Sequence, residues 1–173
     1  LKVVSDNSKF NLLCISPDNF PLSDEDNKQK TFDIHPQKLL KLLNKTKISI
    51  SNDETRHYLN GIYLHKTKQE NKIFLSGVAT DSHRLSSSSL EIDPNTHIES
   101  IILPKKTIFQ LIFLLEQSNK PIKISNNKSK IKFEMDTGVL ISKVIDGRFP
   151  DYNKVIPKKN DKILEIKLNE FKN

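Results

Sequence analysis

Residues 31–43 read TFDIHPQKLLKLL, and residues 101–113 read IILPKKTIFQLIF. Each stretch combines a short extended run with a helix opened by a proline, Pro36 or Pro104. Proline suits the first helical turn, where its missing N–H is not needed. Because the same order of elements returns later in the chain, these two stretches predict an internal structural repeat.

Three strand candidates follow each predicted helix. After the first helix they are HYLNGIYLHK (57–66), KIFLSGVAT (72–80) and HRLSSSSLEI (83–92), and after the second they are PIKIS (121–125), SKIKFEM (129–135) and GVLISKVI (138–145). Ile131, Phe133 and Met135 alternate with polar residues, as expected for a half-buried strand. Close spacing favours hairpins and antiparallel sheets. We therefore predict an α+β fold with two pseudo-repeats of a helix plus antiparallel strands, and with the helices on one face of the sheets.

The two predicted helices differ in their polar faces. In the first helix the leucines share one face, while Lys38, Lys41 and Lys45 recur at i, i+3 and i+7 on another. The second helix is almost entirely apolar after Lys105 and Lys106. We therefore expect it to be largely buried, with only these two lysines and Gln110 reaching the surface.

Polar, proline-containing segments mark two boundaries, at residues 18–30 and 147–161. They divide the chain into residues 1–25, 26–150 and 151–173, with the main domain in the middle. Both ends carry runs typical of secondary structure: KVV (2–4) and FNLLCI (10–15) are predicted strands, and ILEIKL (163–168) followed by NEF (169–171) is predicted as an extended run and the start of a helix. The chain therefore looks cut from a longer protein.

Composition narrows the class of protein. The chain has 173 residues and a formal net charge of +7, and a basic domain often meets phosphates. Lys, Asn and Ile are abundant throughout, which base bias in the coding DNA would also produce, so the charge supports nucleic-acid binding only weakly. Cys14 is the single cysteine, which excludes an internal disulfide and favours the cytoplasm.

Asp81, Ser82 and His83 stand side by side in ATDSHRL (79–85), which raises the possibility of a serine hydrolase. Consecutive residues point apart on a strand or fan out in a turn, so they cannot form a proton relay. We instead predict a hairpin corner with a two- or three-residue turn at Asp81 and Ser82, followed by a serine-rich strand. Histidine spacing gives no metal site, and we expect no cofactor and no enzymatic activity.

The segment ATDSHRL resembles ATDGHRL of the bacterial DNA polymerase III β subunits, which are replication sliding clamps. Four further stretches resemble the same family in the same order, and together they cover nearly the whole chain: SKFNLLCISPDNFP (8–21), RHYLNGIYL (56–64), ILPKKTIFQL (102–111) and SKVIDGRFPDYNKVIP (142–157). The chain departs from the family at Ser82, where the family has glycine. If the corner requires a positive φ, serine there costs about 1 kcal/mol of strain.

The resemblance implies a place in a ring. Family members close as head-to-tail dimers of three-domain subunits around duplex DNA, with helices facing the pore. Residues 1–25 would end domain one, 26–150 would form the middle domain, and 151–173 would connect to and begin domain three. Alone, the chain is expected to be a monomer. The DNA-facing candidates are Lys38, Lys41, Lys45, Lys105 and Lys106.

The resemblance also implies a pocket that docks short peptides of polymerases, the clamp loader and repair proteins. Its matching positions here are Leu59, Thr80, Ser82, His83, Arg84, Leu85, Pro150 and Val155. The four apolar members would form a floor for a leucine or phenylalanine anchor, and Thr80, His83 and Arg84 a polar rim. For Leu59 and Leu85, ordinary core packing is the competing interpretation.

A stand-alone basic nucleic-acid-binding domain is the alternative to the sliding clamp. It predicts aromatic residues on an open sheet face, where bases could stack. Phe10, Phe74 and Phe133, with the tyrosines, are the candidates for that role.

Overall fold

The computed structural model describes residues 1–19, 30–157 and 160–172. Its strands are Lys2–Ser5 (β1), Ser8–Asn11 (β2), Thr31–Ile34 (β3), Gly61–Gln69 (β4), Lys72–Thr80 (β5), Leu85–Ile92 (β6), Ile101–Pro104 (β7), Ile122–Asn126 (β8), Lys130–Met135 (β9) and Gly138–Lys143 (β10). Its α-helices are Pro36–Thr46 (α1), Lys105–Gln117 (α2) and Leu168–Phe171 (α3). The predicted α+β fold with two repeats is confirmed. The predicted boundary between residues 25 and 26 lies outside the described residues.

The two repeats exchange their leading strands. One four-stranded antiparallel sheet has the order β6-β5-β4-β7, and the other has the order β10-β9-β8-β3. The short strand β3 therefore pairs with β8 of the second repeat, while β7 pairs with β4 of the first repeat. Each sheet is completed by the opposite repeat, so neither repeat is a closed unit by itself.

A glycine permits the closest part of this exchange. Gly61 begins β4 opposite Pro104, and a Cβ atom added at Gly61 would collide with the carbonyl of Leu103. The backbone N–H of Lys105 donates to the carbonyl of Asn60 at 3.0 Å, so α2 begins where β4 begins. Only a residue without a side chain fits between these two backbones.

One continuous apolar core joins both helices to both sheets. On α1, Leu39, Leu42 and Leu43 are almost completely buried. Leu42 lies over Gly77 of β5, where an added Cβ would meet its side chain. The helix α1 also contacts α2, which adds Ile108 among other residues to the same core. The helices are therefore held side by side over one shared core.

The prediction that α2 is largely buried is wrong on one side. Ile108, Leu111, Ile112 and Leu115 face the core, but Phe109 and Phe113 are 48% and 57% exposed. Only one side of a helix packed at the edge of a core can face that core. Phe109 and Phe113 lie one turn apart on the other side, so they are exposed. Lys47, at 5.8 Å from the ring centroid, covers part of Phe109.

The first strand predicted after α1 begins later than expected. Residues Glu54–Leu59 form a 3-10 helix with a kink, and β4 begins only at Gly61. The Asp53 carboxylate starts this helix by accepting hydrogen bonds from the Thr55 backbone N–H and hydroxyl, at 2.9 and 2.6 Å. The last predicted strand also ends early, because only an isolated bridge to Ile102 continues it at Ile145.

The serine run forms the strand β6, as predicted. Its serines alternate between two environments across the sheet. Ser86 shares a 2.6 Å hydrogen bond with Ser49, just after α1. On the other face, Ser89, Ser76 and Thr67 form a ladder of hydroxyl groups at 2.7 and 2.6 Å. Small hydroxyl side chains thus bring α1 close to the sheet on one side and link three strands on the other.

The ends of the chain contain less regular structure than predicted. The strands β1 and β2 form a short antiparallel hairpin, so the expected strand FNLLCI stops at Asn11. Near the other end, the expected extended run has no strand partner among the described residues, and α3 is a single helical turn.

Replacing Gly61 by alanine should destabilise the protein because the new Cβ would overlap the Leu103 carbonyl. We expect the free energy of unfolding to fall by about 1–3 kcal/mol, as for other overpacked sites. Urea unfolding followed by circular dichroism measures this change. The control Lys68→Ala, on the exposed end of β4, should alter stability by less than about 0.5 kcal/mol. Equal stability of both variants would contradict the close approach.

Candidate functional site

The loop between β5 and β6 spans residues 81–84, so it is longer than the predicted turn. Its own side chains satisfy its backbone. The Asp81 carboxylate accepts the N–H groups of His83 and Arg84, both at 3.0 Å. The Thr80 hydroxyl accepts the N–H of Ser82 at 3.1 Å and donates to the carbonyl of Arg84 at 2.8 Å. The loop is therefore a rigid corner, and the Thr80 hydroxyl is already used within it.

These contacts contradict the serine hydrolase hypothesis. Hydrogen bonds from the backbone N–H groups of Arg84 and His83 lower the pKa of Asp81 to about 2. The carboxylate is therefore committed to the loop, while the Ser82 hydroxyl accepts a hydrogen bond from Arg56. A histidine that takes the serine proton and is oriented by the aspartate does not occur in this arrangement. The described residues also contain no cluster of three potential metal ligands.

Ser82 adopts a backbone conformation that favours glycine. Its φ is +78°, in the left-handed region. Serine is strained there by about 1 kcal/mol. The hydroxyl compensates with a 2.6 Å hydrogen bond donated by Nη1 of Arg56. The corner therefore does require a positive φ, as expected for a position that is glycine in the family. In this chain the position holds a serine, whose hydroxyl contacts Arg56.

Three segments meet beside this corner and enclose an open cavity of about 460 Å3. They are the 3-10 helix before β4, the corner at residues 80–85 and the connector at residues 150–155. All eight predicted pocket residues line the cavity: Leu59, Thr80, Ser82, His83, Arg84, Leu85, Pro150 and Val155. Residues that lie in three separate parts of the sequence are thus brought together, as the resemblance implied.

Four further residues line the same cavity and were missed from the sequence. They are Arg56, Tyr58, Asp151 and Tyr152. The two connector residues lie within the stretch DGRFPDY and directly follow Pro150, which was a usable signal. Tyr58 lies in the segment predicted as a strand (57–66), and Arg56 directly precedes that segment, whereas the structure forms a 3-10 helix there and both residues line the cavity.

A second, smaller apolar cluster contributes Leu59 and Leu85 to the lining of the cavity. Leu59, Val78, Ile102 and Phe149 are buried in this cluster, and Leu85 packs against it half-buried. Leu59 is only 2% exposed, as core packing requires, and it also lines the cavity. Val155 is 68% exposed at the opposite edge. The cavity therefore presents an apolar surface that grades from the core to the solvent.

Stacked rings attach the connector to the outer face of β4. The ring of Tyr63 stacks on Phe149 at 5.0 Å and on His65 at 4.4 Å between centroids. The His65 Nε2 atom shares a hydrogen bond of 3.0 Å with the Tyr152 hydroxyl. Burial lowers the pKa of His65 and raises the pKa of Tyr152, so both groups are neutral over a wide pH range. These contacts therefore fix the connector, which forms one wall of the cavity, against the outer face of β4.

Charged side chains at the rim are paired within their own segments. Arg56 Nε donates to Asp53 at 2.8 Å, and Arg84 Nε donates to Asp81 at 3.1 Å. Hydrogen bonds from the side chains of Thr55 and Arg56 lower the pKa of Asp53 to about 2. Both carboxylates are therefore ionised at neutral pH, and they orient the two guanidinium groups.

The predicted DNA-facing lysines fall into two sets. Lys38, Lys41 and Lys45 are exposed along one side of α1, as their spacing predicted. Lys106 is exposed at the start of α2, whereas the half-buried Lys105 donates a hydrogen bond to the Asn52 side chain. The exposed cationic stripe therefore belongs to α1, whereas Lys105 is bound to Asn52 in the loop that follows α1.

Within the part of the chain that the structure describes, the candidate aromatic residues do not form the platform that a stand-alone nucleic-acid-binding domain would need. Phe133 is buried in the core and Phe74 is half-buried, while the exposed Phe10 lies apart on β2. Tyr63 is engaged in the ring stack behind the connector. These candidates do not share an open sheet face, so the alternative is not favoured.

Comparison with known proteins agrees with this fold. Residues 33–151 match the family described as DNA polymerase III beta subunit, central domain. The Beta sliding clamp of Caulobacter vibrioides is 36% identical over 167 residues, and that of Escherichia coli K12 is 33% identical over 163 residues. These matches cover 96% and 94% of this chain but only 45% and 43% of the relatives.

Solved structures give the same result. The crystal structure of the Caulobacter crescentus beta sliding clamp, with PEG bound to a putative beta-motif tethering region, aligns with a TM-score of 0.86 at 35% identity, over 93% of this chain and 43% of that chain. A sliding clamp from Bartonella birtlesii bound to griselimycin aligns with a TM-score of 0.84 at 37% identity, over 92% of this chain and 43% of that chain. The fold is that of a sliding clamp. The chain belongs to the DNA polymerase III beta subunit family and spans less than half the length of its curated relatives.

None of the helices within residues 1–19, 30–157 and 160–172 has the length and apolar character needed to cross a membrane.

His65 should make stability depend on pH. Burial lowers its pKa below the ordinary value of 6.5, so between these two values the unfolded chain binds a proton that the folded chain does not. The free energy of unfolding should therefore decrease as the pH falls below 6.5, and this contribution should level off below the lowered pKa. Urea unfolding at about pH 8 and about pH 5 measures the difference.

The variant His65→Gln should show a smaller loss of stability between these two pH values than the unmodified chain. The control His97→Gln changes an exposed histidine and should keep the original pH dependence. An identical pH dependence for His65→Gln and the unmodified chain would contradict a neutral, buried His65.

Proposed function

We propose that this chain forms the central part of a β sliding clamp, a non-catalytic processivity factor that encircles duplex DNA and docks replication and repair proteins. Residues 1–25 would end domain one, 26–150 would form the middle domain, and 151–173 would connect to and begin domain three. The observation that carries the proposal is the convergence of all eight family pocket positions on one cavity. The matched family range, 33–151, supports the domain division.

The DNA-binding part of the proposal rests on the exposed stripe of Lys38, Lys41 and Lys45. A ring that slides must attract phosphates without reading bases, and lysines on long flexible stems do this without sequence preference. Lys106 would add a further contact, and Lys105 would do so only by leaving Asn52. In the full-length protein, a head-to-tail homodimer would close the ring, whereas the chain alone would be monomeric. We place this function in the cytoplasm.

The docking part of the proposal rests on the shape and chemistry of the cavity. Its apolar floor around Leu59 and Leu85 suits a leucine or phenylalanine anchor, and its rim offers the exposed side chains of His83 and Arg84. Short peptides of polymerases, the clamp loader and repair proteins are the proposed ligands. The rigid corner and the stacked connector keep two of the walls in place before a peptide arrives, which lowers the entropic cost of binding.

Removing the anchor contacts should weaken peptide binding. In the full-length protein, His83→Ala with Leu85→Ala should raise the dissociation constant of a labelled clamp-binding peptide by about tenfold or more, because both side chains line the cavity. Fluorescence anisotropy measures this change. The control pair, His97→Ala with Val139→Ala, removes an exposed histidine and an exposed aliphatic residue elsewhere and should leave affinity unchanged. Unaltered affinity in the first pair would refute the pocket assignment.

Reversing the charge of the α1 stripe should loosen the ring's hold on DNA. The triple variant Lys38→Glu, Lys41→Glu, Lys45→Glu in the full-length protein should dissociate faster from circular DNA. If all three lysines of each subunit meet phosphates, the dimeric ring makes six such contacts, and the slope of log affinity against log salt should become shallower by about 5. A matched variant, Lys68→Glu, Lys120→Glu, Lys128→Glu, makes the same charge change at exposed sites outside α1. Equal retention of both variants would place the stripe outside the pore.

A further inference from the structure

We propose that the surface at the start of α2 is a binding site for single-stranded DNA, where an unpaired base stacks on the ring of Phe109. This inference goes beyond the proposed function, in which lysines hold duplex DNA without touching its bases. It depends on an exposed aromatic pair, on an open cavity beside that pair and on the charge around both.

Phe109 and Phe113 form an exposed aromatic pair on α2. They are 48% and 57% exposed, and they lie one helical turn apart on the side of α2 that faces away from the core. Because they lie on a helix, they are separate from the aromatic residues that were candidates for an open sheet face. Two neighbouring rings are thus available to a ligand.

Phe109 borders an open cavity of about 670 Å3. This volume lies within the range of pockets that hold small organic ligands, so a nucleotide fits. The rest of the lining includes two lysines and three side-chain amides: Lys105, Lys106, Asn52, Asn60 and Gln110. An aromatic ring beside cations and amides matches the three parts of a nucleotide, because the base has a flat face and a polar edge and the phosphate is anionic.

Positive charge dominates around the ring. Lys106 is exposed, and Lys47 places its Nζ atom 5.8 Å from the centroid of Phe109. Lys105 lines the same cavity, in which Glu54 is the acidic member of the described lining. Lysines therefore outnumber carboxylates here, and a phosphate is attracted to the surroundings of the ring. Proteins that bind single strands use the same combination of a basic groove and aromatic residues.

Asn60 adds a polar atom without a partner. Its Oδ1 atom is buried and accepts no hydrogen bond within the described part of the chain, although Asn60 lines the cavity. Leaving such an atom unpaired is unfavourable, and the terminal torsion of an asparagine is soft enough to turn the amide towards a ligand. A base edge carries N–H donors for this oxygen, whereas a phosphate diester carries none. The site is therefore suited to a base as well as to a phosphate.

An unpaired base fits this site better than duplex DNA does. In a duplex the faces of the bases are covered by their neighbours, so only the backbone and the groove edges are accessible. A single strand exposes base faces, and stacking on an aromatic ring requires no particular base. Phe113 offers a second ring to the next base of the strand. We therefore expect the site to select single strands without reading their sequence.

Oligonucleotide binding tests the inference. The affinity of the full-length protein for a short labelled oligothymidylate is measured by fluorescence anisotropy, with Phe109→Ala and Phe109→Leu as variants. Both variants should bind about fivefold or more weakly, because leucine keeps apolar surface but offers no aromatic face. The control Val139→Ala changes an exposed apolar residue on β10 and should leave the affinity unchanged. Unaltered affinity in the two Phe109 variants would refute the stacking contact.

Salt dependence separates stacking from charge. Phe109→Ala should lower the affinity for oligothymidylate without changing the slope of log affinity against log salt, because it removes no cation. Lys106→Gln should make that slope shallower by about 0.7, which is the value for one phosphate contact on a single strand. A slope that changes in Phe109→Ala would contradict a direct contact between the ring and a base.

Ultraviolet cross-linking of the thymine strand, followed by mass spectrometry, locates the contact. We expect cross-links at Phe109 or Phe113, and cross-links confined to other parts of the protein would refute the site. Retention on circular duplex DNA should be the same in Phe109→Ala and the unmodified protein, and an equal loss of duplex and single-strand binding would overturn the preference for unpaired bases. Duplex retention tests the lysine stripe of α1, and oligothymidylate binding tests Phe109. The proposed function and this inference can therefore fail separately.

Discussion

The pairing of each leading strand with the opposite repeat is the constraint on which the rest of the structure depends. β3 completes the sheet that begins with β8, and β7 completes the sheet that contains β4. Because each leading strand continues directly into its helix, this exchange sets α1 and α2 beside each other over one core. The missing side chain of Gly61 allows the two backbones to meet where β7 passes β4.

The cavity is a product of the same arrangement. Its first wall precedes β4, and its second wall lies between β5 and β6. Its third wall follows the bridge between Ile145 and Ile102, which returns the chain to the β7 edge of the same sheet. The sheet thus supplies fixed ends for three segments that are distant in sequence. The second apolar cluster, with the ring stack behind it, then closes the space between them.

The repeat and the antiparallel strands were predictable from the sequence, because helix openings and alternating apolar residues are local signals. The family motifs likewise pointed to eight residues that line one cavity in the structure. The exchange of β3 and β7 was not predictable in this way, since backbone hydrogen bonds between distant segments leave no pattern in side chains. The alternation typical of a strand also extends to Leu59, so the sequence does not reveal the 3-10 helix that precedes β4. Arg56, which lies in this helix, is therefore not recognised as a cavity residue from the sequence. Composition showed that α2 is apolar but could not show that Phe109 and Phe113 face outwards.

The stack that attaches the connector has a consequence for how the protein responds to a ligand. Tyr152 both lines the cavity and bonds to His65, and Pro150 and Val155 in the same connector also line it. A ligand that packs on these residues therefore favours one conformation of the connector. By thermodynamic reciprocity, a second partner that favours the same conformation of the connector would raise the affinity of the cavity for its ligand by the factor by which that ligand raises the affinity for the partner. A partner that favours a different conformation of the connector would lower both affinities.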